Sequence, residues 1–538
     1  MHESTDNTLA DAVGQKLLLG FDGTSPPPEL LATIARHAIG GVTLFRARNV
    51  ADVAQVRALT AALQRAAAAA GRPPLLICAD QEGGQLMAID GGMTRFPGNL
   101  ALGATDSAEL AERCGQVLGR ELAAVGVNVN YAPCCDVNSN PLNPVIGARS
   151  FGEAPARVAE LAAAMVRGLQ AAGVAATIKH FPGHGDTASD THAGAVLLPH
   201  DAERLRAVEL PPFQAAIAAG ARLVMSAHVA APALTDGLAL PATLAPAILR
   251  GLLRGELGFA GVIVSDALDM HAIAQGDGLL IDALAATAAG IDLLLLGPAS
   301  PHEQIYAGLL HATRRALLPP GDVLASAGRV LALKHWLAAQ PQPDLAVVGC
   351  AEHQALAHQI AARAITLVRD HAGLLPLAPA QRVAVIVPQP ADLTPADTSS
   401  HIRCELAAAL RRYHPAVGEL VLPFAPDEAQ IAAARDWAAG YDLVIVGTIN
   451  AVAGAGQAGL VRALLDGPAP TIAVALRTPY DLAAYPAAPT YLCSYSILPP
   501  ALDALAQVLT GRIEPAGRLP VSIPGLYPIG HGLGHQPS

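Results

Sequence analysis

Ionisable side chains stand at the ends of short apolar runs in the first part of the chain. Buried strands appear in a sequence as short apolar runs bounded by turn signals, and a side chain placed just after such a strand is well positioned for chemistry. Here the run ends carry carboxylates, imidazoles and an ammonium, a set that suits acid–base or nucleophilic catalysis. The residues are Asp80, Asp136, Lys179, His180, His228 and Asp266.

Asp266 lies in the segment GVIVSDALDM, directly after the run Val262–Ser265. At a strand end its carboxylate suits the role of a nucleophile or a base. Aspartate is also a favoured N-cap of helices, so Asp266 could instead begin the segment that follows. Its position at the end of a buried run favours the catalytic interpretation.

A carboxylate and an imidazole, Asp190 and His192, stand two residues apart in a polar loop. If the two side chains meet, the carboxylate fixes the tautomer of the ring and raises its basicity, as acid–base catalysis requires. A solvated surface loop is the alternative. Taken alone, the pattern favours that alternative.

Lys179 is one of three lysines in the chain, and arginine supplies the other basic side chains. A compact ammonium suits sugar hydroxyls or a carboxylate, so the Lys179-His180 pair is a candidate for substrate binding. A buried ion pair at the strand end is the other interpretation. A metal site is disfavoured, because the histidines around residues 180–192 are loosely spaced and no strand carries an HxH pattern. We therefore expect neither a metal nor another cofactor.

Apolar runs that alternate with helical patterns account for residues 1–340. Eight such units in a row predict a (β/α)8 TIM-type barrel, whose catalytic groups stand at the carboxyl ends of the strands. An open doubly wound sheet usually stops at about five or six strands. The second and eighth runs end without ionisable groups. The predicted strands are Lys16–Phe21, Gly41–Phe45, Leu75–Ala79, Val127–Ala132, Ala175–His180, Leu223–Ala227, Val262–Ser265 and Ile291–Leu296.

The pattern changes near residue 340. A Pro-rich start predicts a linker at residues 341–355, and residues 356–538 predict a C-terminal α/β/α sandwich domain of about five strands. The strands predicted there are Val383–Val387, Leu420–Pro423, Leu443–Val446, Thr471–Leu476 and Thr490–Ser494.

Composition disfavours several classes of protein. With a net charge of −11 and 15% charged residues, a broad surface for nucleic acid is not expected. The most apolar window, residues 279–297, contains Asp282 and Asp292 and predicts a buried helix and strand rather than a membrane span. The first residues lack the basic start and apolar core of a signal peptide, and seven cysteines without CxxC spacing argue against a disulfide framework. We expect a cytoplasmic enzyme with a small-molecule substrate; the oligomeric state is left open.

Taken together, the motifs resemble glycoside hydrolase family 3, and within it the bacterial β-N-acetylhexosaminidase branch in its two-domain form. The segment KHFPGHGDTASDTH is similar to the signature of that branch nearly residue for residue. ICADQEGG, NPVIGARSFG, VMSAHV and VIVSDALDM resemble its other blocks, in the same order. AITLVRDHAGLLPL and PAGRLPVSIPG resemble its second domain, so the resemblance covers essentially the whole chain.

The resemblance implies a retaining exo-β-N-acetylglucosaminidase that acts in the recycling of cell-wall fragments. Asp266 would be the nucleophile that forms a covalent glycosyl-enzyme, and His192 would be the acid/base with Asp190 as its partner. Since this pair supplies an acid/base, we expect the second domain to have a structural role. The side chains implied to hold the hydroxyls of the terminal sugar are Asp80, Arg149, Lys179 and His180.

One segment departs from the pattern of the branch. After DQEGG the branch usually has an arginine that lines the pocket, whereas this chain continues QLMAID, with Met87 and Ala88. This departure keeps a β-glucosidase-like specificity open. A phosphorylase with the same residues is another alternative, which a basic group in the pocket would favour. From other classes, a metal-dependent barrel hydrolase and a non-catalytic sugar-binding protein remain.

Overall fold

The computed structural model describes residues 2–188, 196–270, 273 and 278–534, with side chains described from residue 7 onward. Within these residues, eight parallel strands form the sheet of the N-terminal domain, and each coincides with one of the predicted apolar runs. The strands are β1 (Leu17–Leu19), β2 (Gly41–Leu44), β3 (Leu76–Ala79), β4 (Val129–Asn130), β5 (Ala175–Phe181), β6 (Leu223–Ser226), β7 (Val262–Ser265) and β8 (Leu294–Leu296).

The sheet closes on itself. Neighbouring strands are hydrogen-bonded in the order β7-β6-β5-β4-β3-β2-β1-β8, and a parallel bridge between Val264 of β7 and Leu293, just before β8, brings its two edges together. Every residue of the eight strands is buried. Strands that are covered on both faces are almost continuously apolar rather than alternating, which is why the runs were recognisable. The predicted (β/α)8 barrel is confirmed.

Helices cover the outside of the barrel. In Val53–Ala69 the buried residues recur every three or four positions, as expected of an amphipathic helix, and Asp52 caps its start by accepting from Gln55 N. Among the described residues, none of the helices has the length and apolar character that crossing a membrane requires. The barrel helices are His2–Gly14, Pro28–Arg36, Arg46–Asn49, Val53–Ala69, Asn99–Thr105, Ala108–Ala124, Pro155–Ala171, Ala202–Val208, Leu210–Ala218, Leu279–Ala289, His302–Arg314 and Pro320–Ala338, with a π-helix at Ala247–Glu256.

The second domain is built on one six-stranded sheet in the described part of the chain. Its strands are β9 (Thr366–Asp370), β10 (Val383–Pro388), β11 (Val417–Leu422), β12 (Leu443–Thr448), β13 (Thr471–Ala475) and β14 (Thr490–Cys493). They lie in the order β9-β14-β13-β12-β10-β11, and β9 runs antiparallel to β14 while the other pairs are parallel. Strand β9 was not predicted, because its sequence TLVRD is short, ends in two charged residues and directly follows a helix.

Both faces of this sheet are covered, which confirms the α/β/α sandwich. Successive residues of β10 alternate between two apolar clusters: Ala384 and Ile386 belong to one, and Val383 and Val385 to the other. Such alternation follows from the two-residue period of a strand. The helices of this domain are Ala351–Ala364, Leu406–Arg411, Glu428–Ala438, Ala455–Leu465 and Pro499–Leu509.

The two domains share apolar packing. Leu100 and Ala104 of the barrel helix Asn99–Thr105 lie in the same buried cluster as Leu519 and Val521 near the end of the chain. A backbone hydrogen bond from Arg518 N to Ala104 O, 3.0 Å long, runs beside this cluster. The second domain is therefore packed firmly enough against the barrel to contribute to a site at its mouth.

Candidate active site

A cavity of about 1050 Å³ lies at the carboxyl ends of the barrel strands. Parallel strands of a barrel present their carboxyl ends at one face, where such enzymes carry their active sites. Of the seven predicted site residues, five line this cavity, and the other two, Asp190 and His192, lie outside the described residues. The five are Asp80, Arg149, Lys179, His180 and Asp266.

A buried ionic network forms one wall of the cavity. Lys179 Nζ lies 2.5 Å from Asp80 Oδ1 and 2.6 Å from Glu82 Oε1. Arg149 binds the same Glu82 with two hydrogen bonds, from Nε to Oε2 (3.0 Å) and from Nη2 to Oε1 (2.7 Å). Two carboxylates and two cations thus balance one another, and of the four side chains only Asp80 has an exposed fraction of more than a few per cent. The buried ion pair of Lys179 is therefore observed, and its role in substrate binding stays a prediction.

Glu82 is the centre of this network, and sequence analysis did not single it out. Burial opposes its ionisation, but the positive charges of Arg149 and Lys179 outweigh burial and lower the pKa of the carboxyl to about 2. The local signal was available: Glu82 lies on a short strand, Gln81–Gly83, that pairs antiparallel with Leu86–Met87. An acidic residue in a tight hairpin directly after a strand end is poorly explained as a solvated surface charge.

Asp136 positions His180. The imidazole Nδ1 is 2.7 Å from Asp136 Oδ2, and Arg149 Nη2 is 3.3 Å from Nε2. A guanidinium only donates, so Nε2 accepts and the ring proton lies on Nδ1, where it is donated to Asp136. Burial opposes ionisation of Asp136, but His180 outweighs it and holds the pKa of this carboxyl well below its usual range. His180 is thus presented to the cavity in one tautomer and one orientation.

The Asp136→Asn variant is expected to lose about one to two orders of magnitude in kcat/KM, because a displacement of about 1 Å at a site can cost roughly a hundredfold. The imidazole 15N chemical shifts should show that the Nδ1–H tautomer of His180 is no longer favoured. Asp442→Asn, at an exposed ion pair with Arg382, is the matched control. Unchanged activity and unchanged shifts in Asp136→Asn would remove Asp136 from the positioning of His180.

The cluster of Cys134, Asp136 and His180 has the composition of a metal site, with its ligand atoms within 4.8 Å of one another. However, the Cys134 thiol donates to Asp136 Oδ2 at 3.1 Å, and burial raises the thiol pKa well above its ordinary range. A metal ligand must be a thiolate. Asp136 also accepts from the backbone N–H groups of His180 and His184. The cluster fits a hydrogen-bonded support of His180 rather than a cation site.

Asp266 follows β7 at the cavity floor and is partly exposed to it. Its backbone N donates to Ser226 O of β6 (3.2 Å), and its Oδ1 accepts from Ala267 N (2.8 Å). The neighbouring turn is supported by His228, whose Nε2 donates to Ala267 O at 2.9 Å. No helix begins at Asp266 in the described residues, where the next one starts at Leu279. The helix-cap interpretation is therefore wrong.

Residues 392–398 and His401, in the segment 392–401 of the second domain, also line the cavity. The backbone N and the Oγ1 of Thr398 each donate to Gln85 O over 2.8 Å, which ties this segment to the hairpin after β3. Asp397 is held by Arg477 Nη1 at 2.6 Å. The expectation of a purely structural second domain is wrong, because this segment forms part of the cavity wall.

The end of β2 brings two more cations to the cavity, Arg46 and Arg48. The sequence-based statement that the second run ends without ionisable groups is therefore wrong. The predicted apolar run ended at Phe45. In the structure the chain continues directly into the short helix Arg46–Asn49, whose first residue lines the cavity.

Residues 9–333 match the model of the glycosyl hydrolase family 3 N terminal domain, and residues 365–528 match that of the family 3 C-terminal domain. The chain is 34% identical to Beta-hexosaminidase A of Pseudoalteromonas piscicida, over 96% of this chain and 97% of that protein. It is 31% identical to a Beta-N-acetylglucosaminidase/beta-glucosidase of Cellulomonas fimi, over 92% of this chain and 90% of that one.

Among solved structures, a glycoside hydrolase family 3 β-N-acetylglucosaminidase from Paenibacillus sp. str. FPU-7 superposes with a TM-score of 0.91. The two chains are 39% identical, and the match covers 96% of this chain and 99% of that one. A barrel with ionisable strand ends and these matches together define a glycoside hydrolase. The chain belongs to glycoside hydrolase family 3, in its group of β-hexosaminidases and β-N-acetylglucosaminidases, as its motifs indicated.

Proposed function

We propose that this protein is a retaining, exo-acting β-N-acetylglucosaminidase that hydrolyses terminal β-linked N-acetylhexosamine. The observation that carries the proposal is the position of Asp266: a carboxylate at the end of β7 shares one cavity with the polar wall of Asp80, Lys179 and Arg149. A retaining glycosidase needs a nucleophile on one side of the anomeric carbon and a proton donor at the glycosidic oxygen. Cell-wall or chitin-type fragments are the proposed source of the substrate, and the cytoplasm is the proposed compartment.

In the proposed first step, an Asp266 oxygen forms a bond to C1 while the bond from C1 to the leaving oxygen breaks and that oxygen receives a proton. In the second step, water gives up a proton, attacks C1 and releases the Asp266 carboxylate. The sugar leaves with its original β configuration, because C1 has been inverted twice.

We assign the terminal sugar's hydroxyls to the ionic wall. Asp80 Oδ1 accepts from Lys179, and Asp80 is the more accessible of the two carboxylates of the network, with its side chain 28% exposed against 1% for Glu82. Asp80 is therefore suited to accept from a sugar hydroxyl, while Arg149 and Lys179 fix its surroundings. A charge-assisted hydrogen bond of this kind is roughly twice as strong as a neutral one.

His192, with Asp190 as its partner, is proposed as the acid/base. The support is the motif KHFPGHGDTASDTH, because both residues lie outside the described part of the chain. A neutral imidazole can accept a proton from water without repelling an anionic nucleophile nearby, which gives a physical reason for a histidine in a role that most glycosidases give to a carboxylate.

The proposed function is tested with paired aryl β-glycosides, the N-acetylglucosaminide and the glucoside, with and without inorganic phosphate and with the products identified. We expect preference for the N-acetyl sugar and free sugar as the product in either buffer. Preference for the glucoside would replace the assignment with a β-glucosidase-like specificity, and turnover that is lost in a chelator would revive the metal-dependent hydrolase.

A phosphorylase that uses the same residues is the second candidate function. The observation that favours it is Arg46, a cation on the cavity wall, which could attract phosphate to the glycosyl-enzyme. In that case the rate depends on phosphate and the product is a sugar 1-phosphate.

A further inference from the structure

We propose that Arg46 forms an oxyanion subsite on the wall of the active-site cavity, where it binds an anionic group of the substrate or of a second reactant. The inference rests on the proposed function, since it assigns a ligand class to the same cavity. Among the described residues, the charges and hydrogen bonds around the end of β2 leave a positive charge facing the cavity.

Three charged side chains form a cluster at this position. Arg46 Nη2 lies 3.0 Å from Asp90 Oδ2, and Arg95 binds the same carboxylate from Nε (3.1 Å) and from Nη2 (2.8 Å). The Asp90 side chain is only 10% exposed, and its hydrogen bonds to Arg95 and Arg46 outweigh burial and lower the pKa of its carboxyl. One carboxylate is thus shared by two guanidinium groups, and the cluster carries one net positive charge.

Arg46 is the member of the cluster that lines the cavity. Its Nη1 donates to Met87 O at 3.3 Å, so the guanidinium is fixed at the hairpin beside Ala88, whose small apolar side chain has no group to offer a ligand. In the described part of the chain, Met87 O and Asp90 take two of the five N–H groups of Arg46. The others remain available to a planar acceptor such as a carboxylate or a phosphate.

Five aspartates of the described chain line the cavity: Asp80, Asp266, Asp269, Asp392 and Asp397. Asp80 is paired with Lys179 and Asp397 with Arg477, and the carboxylate that Arg46 itself contacts is Asp90. Arg48, the other cation from the end of β2, is itself paired with Asp22. Arg46 is therefore a cation on the cavity wall whose carboxylate partner, Asp90, is already shared with Arg95, so that a positive charge is left for an added anion.

The size of the cavity leaves room for a second group beside the terminal sugar. Cavities of about 300 to 1,000 Å³ hold drug-sized ligands, and this one measures about 1050 Å³. The oxyanion can come from two sources: a carboxylate carried by the leaving group, or free phosphate. Phosphate would form a bond from its oxygen to C1 as the bond from C1 to Asp266 breaks, which gives a sugar 1-phosphate and the free Asp266 carboxylate.

The first arm of the test uses two matched substrates, 4-carboxyphenyl β-N-acetylglucosaminide and its methyl ester, with wild type, Arg46→Ala and Arg46→Lys. The measured quantity is the ratio of kcat/KM for the acid to kcat/KM for the ester. We expect Arg46→Ala to lower this ratio by about tenfold or more, because the variant loses the charge-assisted hydrogen bonds to the carboxylate. Arg46→Lys keeps the positive charge but loses the paired N–H donors of the guanidinium group. Its ratio should therefore lie between those of wild type and Arg46→Ala.

Two controls accompany this arm. Arg206→Ala removes the same charge from an exposed pair with Glu256 and should leave the ratio unchanged. Arg95→Ala lowers the net charge of the cluster without touching the cavity wall and should cause a smaller loss than Arg46→Ala. Since Arg95 still holds Asp90 in Arg46→Ala, that variant leaves no buried carboxylate without a partner and should fold.

The second arm measures release of sugar 1-phosphate from the methyl ester in inorganic phosphate. A phosphate-dependent rate that Arg46→Ala abolishes identifies phosphate as the anion, whereas an Arg46-dependent acid-to-ester ratio identifies a carboxylate. Either result supports the subsite, and insensitivity of both arms to Arg46 overturns it. If wild type hydrolyses neither glycoside, the proposed function fails. Calorimetric titration of benzoate and inorganic phosphate into wild type and Arg46→Ala then tests the subsite independently of catalytic activity. Equal binding by the two proteins overturns the subsite.

Discussion

Asp266→Ala is expected to lower kcat on an aryl β-N-acetylglucosaminide by at least about four orders of magnitude, since removal of a nucleophile typically costs this much or more. The fold should be unaffected. Asp266 is partly exposed to the cavity, and its Oδ1 accepts from the N–H of Ala267, the next residue in the chain. The backbone hydrogen bond from Asp266 N to Ser226 O survives the substitution. Steady-state kinetics and a thermal unfolding curve measure the two effects.

The role of Asp266 as a nucleophile is separated from a general loss of activity by adding azide to the variant. Azide is a small anion that can occupy the space of the missing carboxylate and attack C1 from the same side. Because only one inversion then occurs, the product should be the α-glycosyl azide, whereas wild type gives the β sugar. Asp322→Ala, at an exposed pair with Arg250, is the control and should show wild-type rates. Turnover by Asp266→Ala without azide would remove Asp266 from the mechanism.

The barrel could be predicted because its physical signal is local. Strands buried on both faces appear as apolar runs, and the order of strands and helices then fixes a closed parallel sheet. The antiparallel edge strand β9 gave no such signal. In the structure it is fixed by pairing with β14, more than a hundred residues further along the chain. Its place in the sheet depends on that partner rather than on its own sequence.

The floor of the site was predictable for a similar reason. Asp80 and Asp266 directly follow strands and Lys179 lies near the end of β5, so their place in the fold follows from the place of the strands. Glu82 and Arg46 lie one step further from the strands, in a hairpin and a short helix whose paths local sequence does not determine. Contacts with residues distant in sequence fix their positions: Lys179 and Arg149 hold Glu82, and Asp90 holds Arg46.

The segment 392–401 illustrates the same limit across domains. Nothing in its sequence indicates a cavity in a barrel that begins nearly four hundred residues earlier. Its position depends on how the two domains pack and on the hydrogen bonds from Thr398 to Gln85. A resemblance between motifs indicates which residues a site contains. It does not show that a segment of the second domain forms part of the cavity wall, because this depends on how the two domains pack.

Glu82→Gln is the second substitution with a large expected effect, because it removes the shared carboxylate of a buried network. Lys179 and Arg149, which lie 2.6 and 2.7 Å from Glu82 Oε1, are then left with Asp80 as their remaining carboxylate in the network. Removing one partner of a buried ion pair typically costs about 3 to 5 kcal/mol. We expect a loss of this size in the free energy of unfolding at pH 7, together with a lower kcat/KM, because the side chains that face the sugar lose their support.

The pH dependence of the loss distinguishes this electrostatic cause from a packing defect. In the folded protein the pKa of Glu82 is lowered from 4.5 to about 2, which corresponds to roughly 3 kcal/mol of stability. A depressed carboxyl pKa stabilises the fold fully above pH 4.5, and this contribution is lost as the pH falls towards 2. Urea unfolding of wild type and Glu82→Gln should therefore show a large difference at pH 7 that narrows steadily below pH 4.5. The exposed Glu256→Gln serves as the control, and a gap that stays constant with pH would show that Glu82 acts through its shape rather than its charge.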